Sequence, residues 1–218
     1  VYSEDLDSKL SKRVELRNEL QEAIKTGQLF LNYQPQVDQD GHLCGLEALV
    51  RWKHPEKGFI SPADFIPVAE ETGQIAHLGK WVTTQACKDA RRLLEMGLLK
   101  GRMAVNLSPL QFHRPGFLTA LRSILEDTGL APEHLELELT EGILMKDSEG
   151  AIDILNALNG KGVITLAREM GLNVVAEGVE TQEQFCYLKS HGCESFQGYY
   201  FARPMLFEDL VQWIGKAG

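Results

Sequence analysis

Apolar and polar residues alternate along the chain in two rhythms, one typical of strands and the other typical of helices. Short runs rich in branched and aromatic side chains predict six strands, at 29–35, 42–52, 102–108, 134–141, 173–178 and 195–201. Apolar residues three and four positions apart predict helices. These helices cover 14–26, 62–72, 81–96, 115–127, 147–159, 164–170 and 207–214, and another begins after Thr181.

Local signals support several of the helix boundaries. Ser61 followed by Pro62 is typical of an N-cap with proline at the first helical position. Thr181 and Gln184 have the spacing of a capping box. Gly27 predicts the end of the first helix, because glycine readily adopts the left-handed conformation that follows a helix.

The regular alternation of strands and helices predicts a parallel sheet with right-handed crossovers. The strands are apolar enough for burial on both faces, which favours an α/β fold of the TIM-like (β/α)8 barrel class. Six predicted strands are two fewer than such a barrel has. Two strand–helix units are therefore missing from the count.

Composition narrows the classes of function. The chain has 218 residues, of which 44% are hydrophobic and 24% charged, as in ordinary globular proteins. Its net charge of −9 argues against binding a nucleic acid polymer, which requires a basic face. No apolar run approaches the roughly 18 residues that cross a bilayer, and the first twenty residues do not resemble a signal peptide.

The cysteines indicate a reducing compartment. Cys44, Cys87, Cys186 and Cys193 are scattered and lack zinc-site spacing, so we interpret them as thiols of a cytoplasmic protein. A longer protein could still be tethered to a membrane by upstream segments. We expect residues 1–12 to be a connector from an upstream domain and residues 13–218 to form the main domain.

Oxygen-bearing side chains recur near the ends of the predicted strands. Glu47 lies late in the predicted strand 42–52, Asn106 late in 102–108 and Glu138 late in 134–141. Glu177 lies near the end of the predicted strand 173–178, and Gln197 lies within the predicted strand 195–201. The carboxyl ends of parallel barrel strands open onto one face, where active sites lie. An all-oxygen set with three carboxylates favours Mg²⁺ or Mn²⁺. The alternative is that these are ordinary strand-end residues facing solvent.

Two further residues are open to different interpretations. Arg51, four positions after Glu47, would suit a phosphate oxygen or a surface salt bridge. Gln34, just before Pro35, could contact a base edge, but the proline favours a role in closing a turn.

Six ordered motifs resemble the EAL domain family of bacterial cyclic di-GMP phosphodiesterases. They are EALVRW (47–52), FIPVAEETG (65–73), VNLSPLQF (105–112), ELELTE (136–141), VVAEGVET (174–181) and QGYYFARP (197–204). The resemblance extends from about residue 13 to the C-terminus. It implies a metal-dependent hydrolysis of cyclic di-GMP to linear pGpG.

The resemblance also implies individual roles. Glu47, Asn106 and Glu138 match the ligands of a first metal, and Glu177 matches a ligand of a second. Glu141 matches the glutamate that anchors the active-site loop, and Gln197 the glutamine near the attacking water.

Gln34 and Arg51 match positions that contact the dinucleotide. The implied mechanism uses two Mg²⁺ or Mn²⁺ ions, with hydroxide attacking one phosphodiester in line. Family members commonly dimerise and follow sensor or GGDEF domains, so we expect a homodimer and such an upstream domain.

The chain departs from the family pattern near Gly162–Val163. The family carries a DDFGTGYSSL segment and a later strand with a KID-type motif, which supply two aspartates that bridge the metals and a lysine beside the water. Neither is present here. The resemblance therefore implies that the region of the fifth and sixth strands, about 50 residues at barrel spacing, is absent from this sequence. The segment is either unobserved or deleted, and the intact flanking motifs favour the first explanation.

A true deletion would make the chain a degenerate EAL domain, acting as a non-catalytic cyclic di-GMP receptor or a protein-interaction module. A third hypothesis, a different metal-dependent barrel acting on a carboxylate substrate, rests on fold analogy alone.

Overall fold

The computed structural model describes residues 2–112, 114–139, 175–190 and 192–217. Its strands are β1 (Leu29–Asp38), β2 (Leu43–His54), β3 (Gly58–Ile60), β4 (Arg102–Leu107), β5 (Leu135–Leu139), β6 (Val175–Ala176) and β7 (Ser195–Phe196). Its α-helices are α1 (Tyr2–Thr26), α2 (Pro62–Glu71), α3 (Ile75–Glu95), α4 (Pro109–Phe112), α5 (Phe117–Thr128), α6 (Gln182–Ser190) and α7 (Phe207–Ala217), and a 3₁₀ turn covers Pro132–His134.

These strands form one curled sheet in the order β5-β4-β2-β1-β7-β6, with β3 added beside β2. Helices pack against it, and the fold is of the α/β, TIM-like barrel class that the sequence predicts. The main core lies between the sheet and the helices and includes Tyr33, Leu46, Trp52, Phe65 and Leu78, all at most 2% exposed. The predicted helices at 147–159 and 164–170 lie outside the described residues.

The prediction of an all-parallel sheet is wrong at β1. This strand runs antiparallel to β2 and to β7, whereas β2, β4 and β5 are parallel to one another. Only a few residues join β1 to β2, and a parallel pairing needs a crossover of a dozen or more. The short connection therefore makes a hairpin. The short strand β3 was also not predicted.

Pro35 does not end the first strand, contrary to the sequence prediction. β1 continues to Asp38, and Pro35 pairs with Leu46 of β2. The backbone N–H of Tyr33 points away from β2 and donates to Met205. Because N–H groups two residues apart share a side, the N–H that Pro35 lacks would also point away from β2, so no bond of that ladder is lost.

Local chemistry places other boundaries where the sequence predicts them. Ser61 caps α2 through its side chain, which accepts from the Ala63 N–H. Thr181 and Gln184 bond reciprocally as a capping box at 3.2 and 3.3 Å. Two other boundaries differ from the prediction. Helix α3 begins at Ile75 rather than at 81, and the last strand ends at Phe196 rather than at 201.

A buried polar network joins β1, α3 and α7. The Tyr33 hydroxyl donates to Asp89 at 2.6 Å, and Gln85 and Arg92 donate to the same carboxylate. Burial and the Asp89 charge raise the pKa of Tyr33, so the hydroxyl stays protonated. The Arg92 guanidinium lies 4.1 Å from the ring centre of Phe207, which adds a cation–π contact.

The described cysteines are free thiols. Cys87 and Cys193 are buried, Cys44 is half-buried and Cys186 is exposed. Within the described ranges, no helix combines the length and the apolar content that crossing a membrane requires.

Candidate active site

Period-two alternation gives the central strands an apolar face toward the helices and a polar inner face. Register places Gln34 of β1 opposite Glu47 of β2, and Asn106 of β4 opposite Glu138 of β5. The residues next to these along each strand, such as Leu46 and Val105, lie on the opposite face and belong to the core beneath the helices. The fold therefore brings four of the predicted site residues to one concave surface.

Glu47 lies at the middle of this surface and in the middle of β2, not late in its strand as predicted. It is 7% exposed. The Asn106 side chain donates from Nδ2 to Glu47 Oε1 at 2.5 Å, and Gln197 Nε2 donates to Glu47 Oε2. Both carboxylate oxygens are therefore fixed in direction by amide donors from other strands or strand ends.

Gln197 is held at this place by its own backbone. Its N–H donates to the Ala176 carbonyl at 2.8 Å, and its carbonyl accepts from the Val179 N–H at 3.1 Å. These two bonds also fix the segment that carries Glu177. The site edge formed by β6 and β7 is thus built from backbone pairing, although each strand has only two residues.

Gln34 is buried within β1 and does not close a turn. Its Oε1 accepts from Gln197 Nε2 at 3.1 Å, and its Nε2 donates to the Ala202 carbonyl at 3.1 Å. The turn interpretation is therefore wrong, because β1 continues beyond Pro35. Gln34 instead links the hairpin to the segment after β7.

Glu138 is the acid whose protonation is most altered. Burial raises its pKa to about 7, and the negative charges of Glu47, Glu177 and Glu136 act in the same direction. Gln36 Nε2 donates to Glu138 Oε1 at 3.4 Å, which opposes the shift. Burial, followed by the charge of Glu47, also raises the pKa of Glu177, which lies directly after β6.

Arg51 follows Glu47 by four residues and lies half-buried near Tyr199. Its guanidinium donates to the Val50 carbonyl at 2.9 Å, and within the described ranges it forms no ion pair with a carboxylate. A surface salt bridge is thus not seen there. Arg51 and Asn106 line a cavity of about 240 Å³ whose wall includes Ile66 and Leu78.

The residues fit a divalent cation of the Mg²⁺ or Mn²⁺ type. The pKa values of Glu138 and Glu177 are raised by burial and by neighbouring carboxylate charges, which a positive ion would offset, and the described side chains of the cluster offer only carboxylate and amide groups. Rotating the Asn106 carboxamide by half a turn would present its oxygen in place of its nitrogen. Glu47, Asn106, Glu138 and Glu177 therefore form a suitable donor set.

A more compact group of potential metal ligands lies outside the inner-face surface. In the part of the chain that the structure describes, the Asp38, Asp40 and His42 ligand atoms lie within 4.8 Å of one another, at the turn between β1 and β2. Asp38 accepts the backbone N–H groups of Asp40 and His42. This group therefore closes the hairpin.

The sequence interpretation missed Gln36, whereas the role it predicts for Glu141 stays a prediction. Gln36 is 7% exposed and shares the inner face with Gln34, two residues earlier. The period-two rule would have identified it if β1 had been continued past Pro35. Glu141 lies outside the described residues.

Known proteins resemble this chain along almost its whole length. The family model of the EAL domain matches residues 17–165 and again residues 160–204. An uncharacterized signaling protein of Caulobacter vibrioides is 37% identical over 97% of this chain and 32% of its own length. The bifunctional diguanylate cyclase/cyclic di-GMP phosphodiesterase MucR of Pseudomonas aeruginosa is 33% identical over 96% of this chain and 38% of its own length.

The chain thus spans about a third of the length of these curated relatives. Among solved structures, the PaMucR phosphodiesterase in complex with c-di-GMP has a TM-score of 0.81 and 33% identity. That comparison covers 90% of this chain and 99% of the other.

The comparisons also bear on the missing segment. The family model matches in two pieces that meet at 160–165, and the alignment with the Caulobacter protein extends over 261 positions although this chain has 218 residues. Both findings agree with a segment of about 50 residues that the relatives have and this sequence lacks. Gly162 and Val163 lie outside the described residues, so the geometry of the join stays a prediction.

Proposed function

Because the chain belongs to the EAL domain family, we propose that it is a phosphodiesterase that hydrolyses cyclic di-GMP to linear pGpG with Mg²⁺ or Mn²⁺. The observation that carries the proposal is the inner-face cluster, in which Glu47 is oriented by Asn106 and Gln197 beside Glu138 and Glu177. The name of the MucR relative and the c-di-GMP complex of its phosphodiesterase domain support the choice of substrate.

Each residue has a distinct task in this proposal. Glu47, Asn106, Glu138 and Glu177 would hold the metal. Bound Mg²⁺ or Mn²⁺ would supply an activated water and stabilise the negative charge that develops on the phosphate.

The other residues act on the nucleotide and the water. Gln197 is anchored through both backbone groups, so its side-chain amide can orient a water without moving. Arg51, without a carboxylate partner in the described ranges, keeps its charge available for a phosphate oxygen. Gln34 positions Gln197 and would approach the dinucleotide from β1.

The proposal is tested by assaying the purified chain with cyclic di-GMP and identifying the product by chromatography and mass spectrometry. We expect pGpG with Mg²⁺ or Mn²⁺. We expect no turnover with Ca²⁺, whose longer and looser coordination misplaces the water, or with a chelator. Equal turnover after chelation would contradict the metal role.

The alternative predicted from the sequence, a degenerate domain, is not favoured, because similar proteins are named cyclic di-GMP phosphodiesterases. It rests on the absence of the Asp-Asp and Lys segment from the sequence. Without those groups the inner-face cluster would bind cyclic di-GMP and not cleave it, and the chain would act as a receptor or an interaction module. Calorimetry in Mg²⁺ separates the two. Saturable binding of cyclic di-GMP without pGpG formation supports the receptor, and turnover supports the enzyme.

Assembly and location are proposals of the same kind. The diguanylate cyclase activity in the name of MucR supports a sensor or GGDEF domain upstream in a longer protein. The homodimer and the cytoplasmic location stay predictions from the family resemblance and from the cysteine pattern, respectively.

A further inference from the structure

A cleft of about 290 Å³ lies on the helix side of the sheet, between α3 and the α4–α5 segment. Its floor is apolar and includes Ala76, Ala120, Leu121 and Ile124. None of the proposed catalytic or metal-binding residues lines it. The cleft is therefore a separate feature, although Gly79 and Gln111 also line the cavity beside Arg51.

The charges around this cleft are opposite to those of the whole chain. The net charge is −9, yet none of the described residues that line the cleft is acidic, and two of them, Lys80 and Arg114, are cationic. Both are exposed, and within the described ranges neither forms an ion pair with a carboxylate. Their positive charge is thus available to an anion from solution.

Helix α5 begins at this cleft without a capping side chain. Gly116, at the N-cap, has φ +83° and provides no side-chain acceptor, and the first turn contains no acidic residue. The Phe117 N–H donates to the Arg114 carbonyl at 3.1 Å, and the N–H groups that follow it in the first turn favour a negative charge when nothing else satisfies them. The 12-residue helix therefore adds to the attraction for an anion.

Two polar groups on buried side chains open into the cleft without partners, while Gln111 Oε1 accepts from the Ser108 N–H at 3.1 Å. Thr83 is 8% exposed and Gln111 7%, and neither the Thr83 hydroxyl nor Gln111 Nε2 has a hydrogen-bond partner in the described part of the chain. Among the described residues, Asn32 Oδ1 is the only fully enclosed polar side-chain atom that lacks a hydrogen-bond partner. The Thr83 and Gln111 groups are therefore reachable from the cleft, where a ligand would satisfy them.

We propose that this cleft is a second ligand site, for a small organic carboxylate with an apolar body of about a dozen non-hydrogen atoms. The carboxylate lies among Lys80, Arg114 and the start of α5. The apolar body lies on Ala120, Leu121 and Ile124. The proposal does not depend on whether the inner-face cluster is catalytic.

The test is titration calorimetry of the intact chain with 2-naphthoate, compared with the neutral isostere 2-naphthamide. We expect saturable one-to-one binding of naphthoate and at least tenfold weaker binding of the amide. Ala120→Phe, which fills the cleft, should weaken naphthoate binding at least tenfold. Ser123→Phe also introduces phenylalanine on α5, at an exposed position beyond the first turn and outside the cleft lining, and should bind like the parent.

A second pair of variants tests whether the positive charge of Arg114 contributes to binding. Arg114→Gln should weaken naphthoate binding at least fivefold, whereas Arg122→Gln, also exposed but outside the lining, should not. This pair of surface changes keeps the test valid if Ala120→Phe fails to fold.

Three results would overturn the site: no saturable binding of naphthoate, equal binding of the amide, or equal loss in each variant and its control. Because binding is read without cyclic di-GMP, failure here leaves the proposed function untouched.

Discussion

At the scale of single residues, Glu47 shows why the site has a defined geometry. A buried carboxylate normally costs free energy unless it is paired or hydrogen-bonded. Here Asn106 and Gln197 each donate to one of its oxygens. Removing the carboxylate therefore affects both the metal site and the two amides that face it.

We expect Glu47→Ala or Glu177→Ala to lower turnover by about 100-fold or more and to weaken Mn²⁺ binding by about 10- to 100-fold, since each would remove a ligand of the proposed metal. Arg51→Ala should mainly weaken binding of cyclic di-GMP. Steady-state assays and calorimetry distinguish these effects, with the exposed Glu126→Ala as control. Unchanged nucleotide affinity in the Arg51 variant would count against its phosphate role.

Glu138 predicts a dependence of stability on pH. Its pKa in the folded, metal-free protein is raised to about 7 from 4.5, so the fold favours the protonated form. The resulting stability is fully present below pH 4.5 and is lost as the pH rises through 7. Above pH 7 the ionised side chain therefore destabilises the fold.

Glu138→Gln should consequently unfold at higher urea than the parent at pH 8 with chelator, by about 1–2 kcal/mol, a discounted figure because water still reaches part of the side chain. At pH 4.5 the two proteins should be nearly equal. Added Mg²⁺ should stabilise the parent and not the variant. A pH-independent difference, as we expect for the exposed Glu133→Gln, would contradict the raised pKa.

At the scale of elements, the edge of the site depends on the close approach of two short segments. A Cβ atom on Gly198 would lie 2.1 Å from the Val179 carbonyl oxygen and 2.3 Å from its nitrogen. The Tyr200 N–H also donates to that carbonyl at 3.0 Å. Only glycine permits this packing, which holds the Glu177 segment against Gln197.

Gly198→Ala should therefore lower the free energy of unfolding by about 1–3 kcal/mol and weaken Mn²⁺ binding, because the backbone must move away. The matched control is Gly215→Ala in α7, where an added Cβ meets nothing within 4 Å. That variant should be as stable as the parent or slightly more stable. Urea unfolding of both proteins checks the prediction, and equal stability would show that the 179–198 contact can relax.

At the scale of the whole molecule, the missing segment is the main difference from the relatives. The family resemblance assigns it two barrel strands, two metal-bridging aspartates and a lysine. In the proposed function, the inner-face cluster of this chain would supply the remaining ligands. Catalysis by the complete set should therefore exceed catalysis by the present one.

We expect insertion of the corresponding segment of a relative such as MucR between Gly162 and Val163 to raise pGpG formation by about 100-fold or more, since it would restore the second metal's ligands. A glycine- and serine-rich insertion of equal length is the control for chain length. If the parent chain already turns over as fast as the insertion variant, the segment is dispensable for catalysis.

The sequence alone determined the order and type of most of the described elements and selected the residues of the candidate site. Hydrophobic periodicity and caps such as Ser61 and the Thr181–Gln184 pair act locally, so they can be read from neighbouring residues. The six family motifs likewise identified Glu47, Asn106, Glu138 and Glu177 before any contact was known.

Only the tertiary structure decided how these elements meet. The antiparallel direction of β1, its continuation past Pro35, and the contacts of Gln34 and Gln36 depend on which strands lie beside β1. The raised pKa of Glu138 likewise depends on charges brought from three other positions. Such properties arise from residues far apart in the chain, and a linear pattern carries no distance between them.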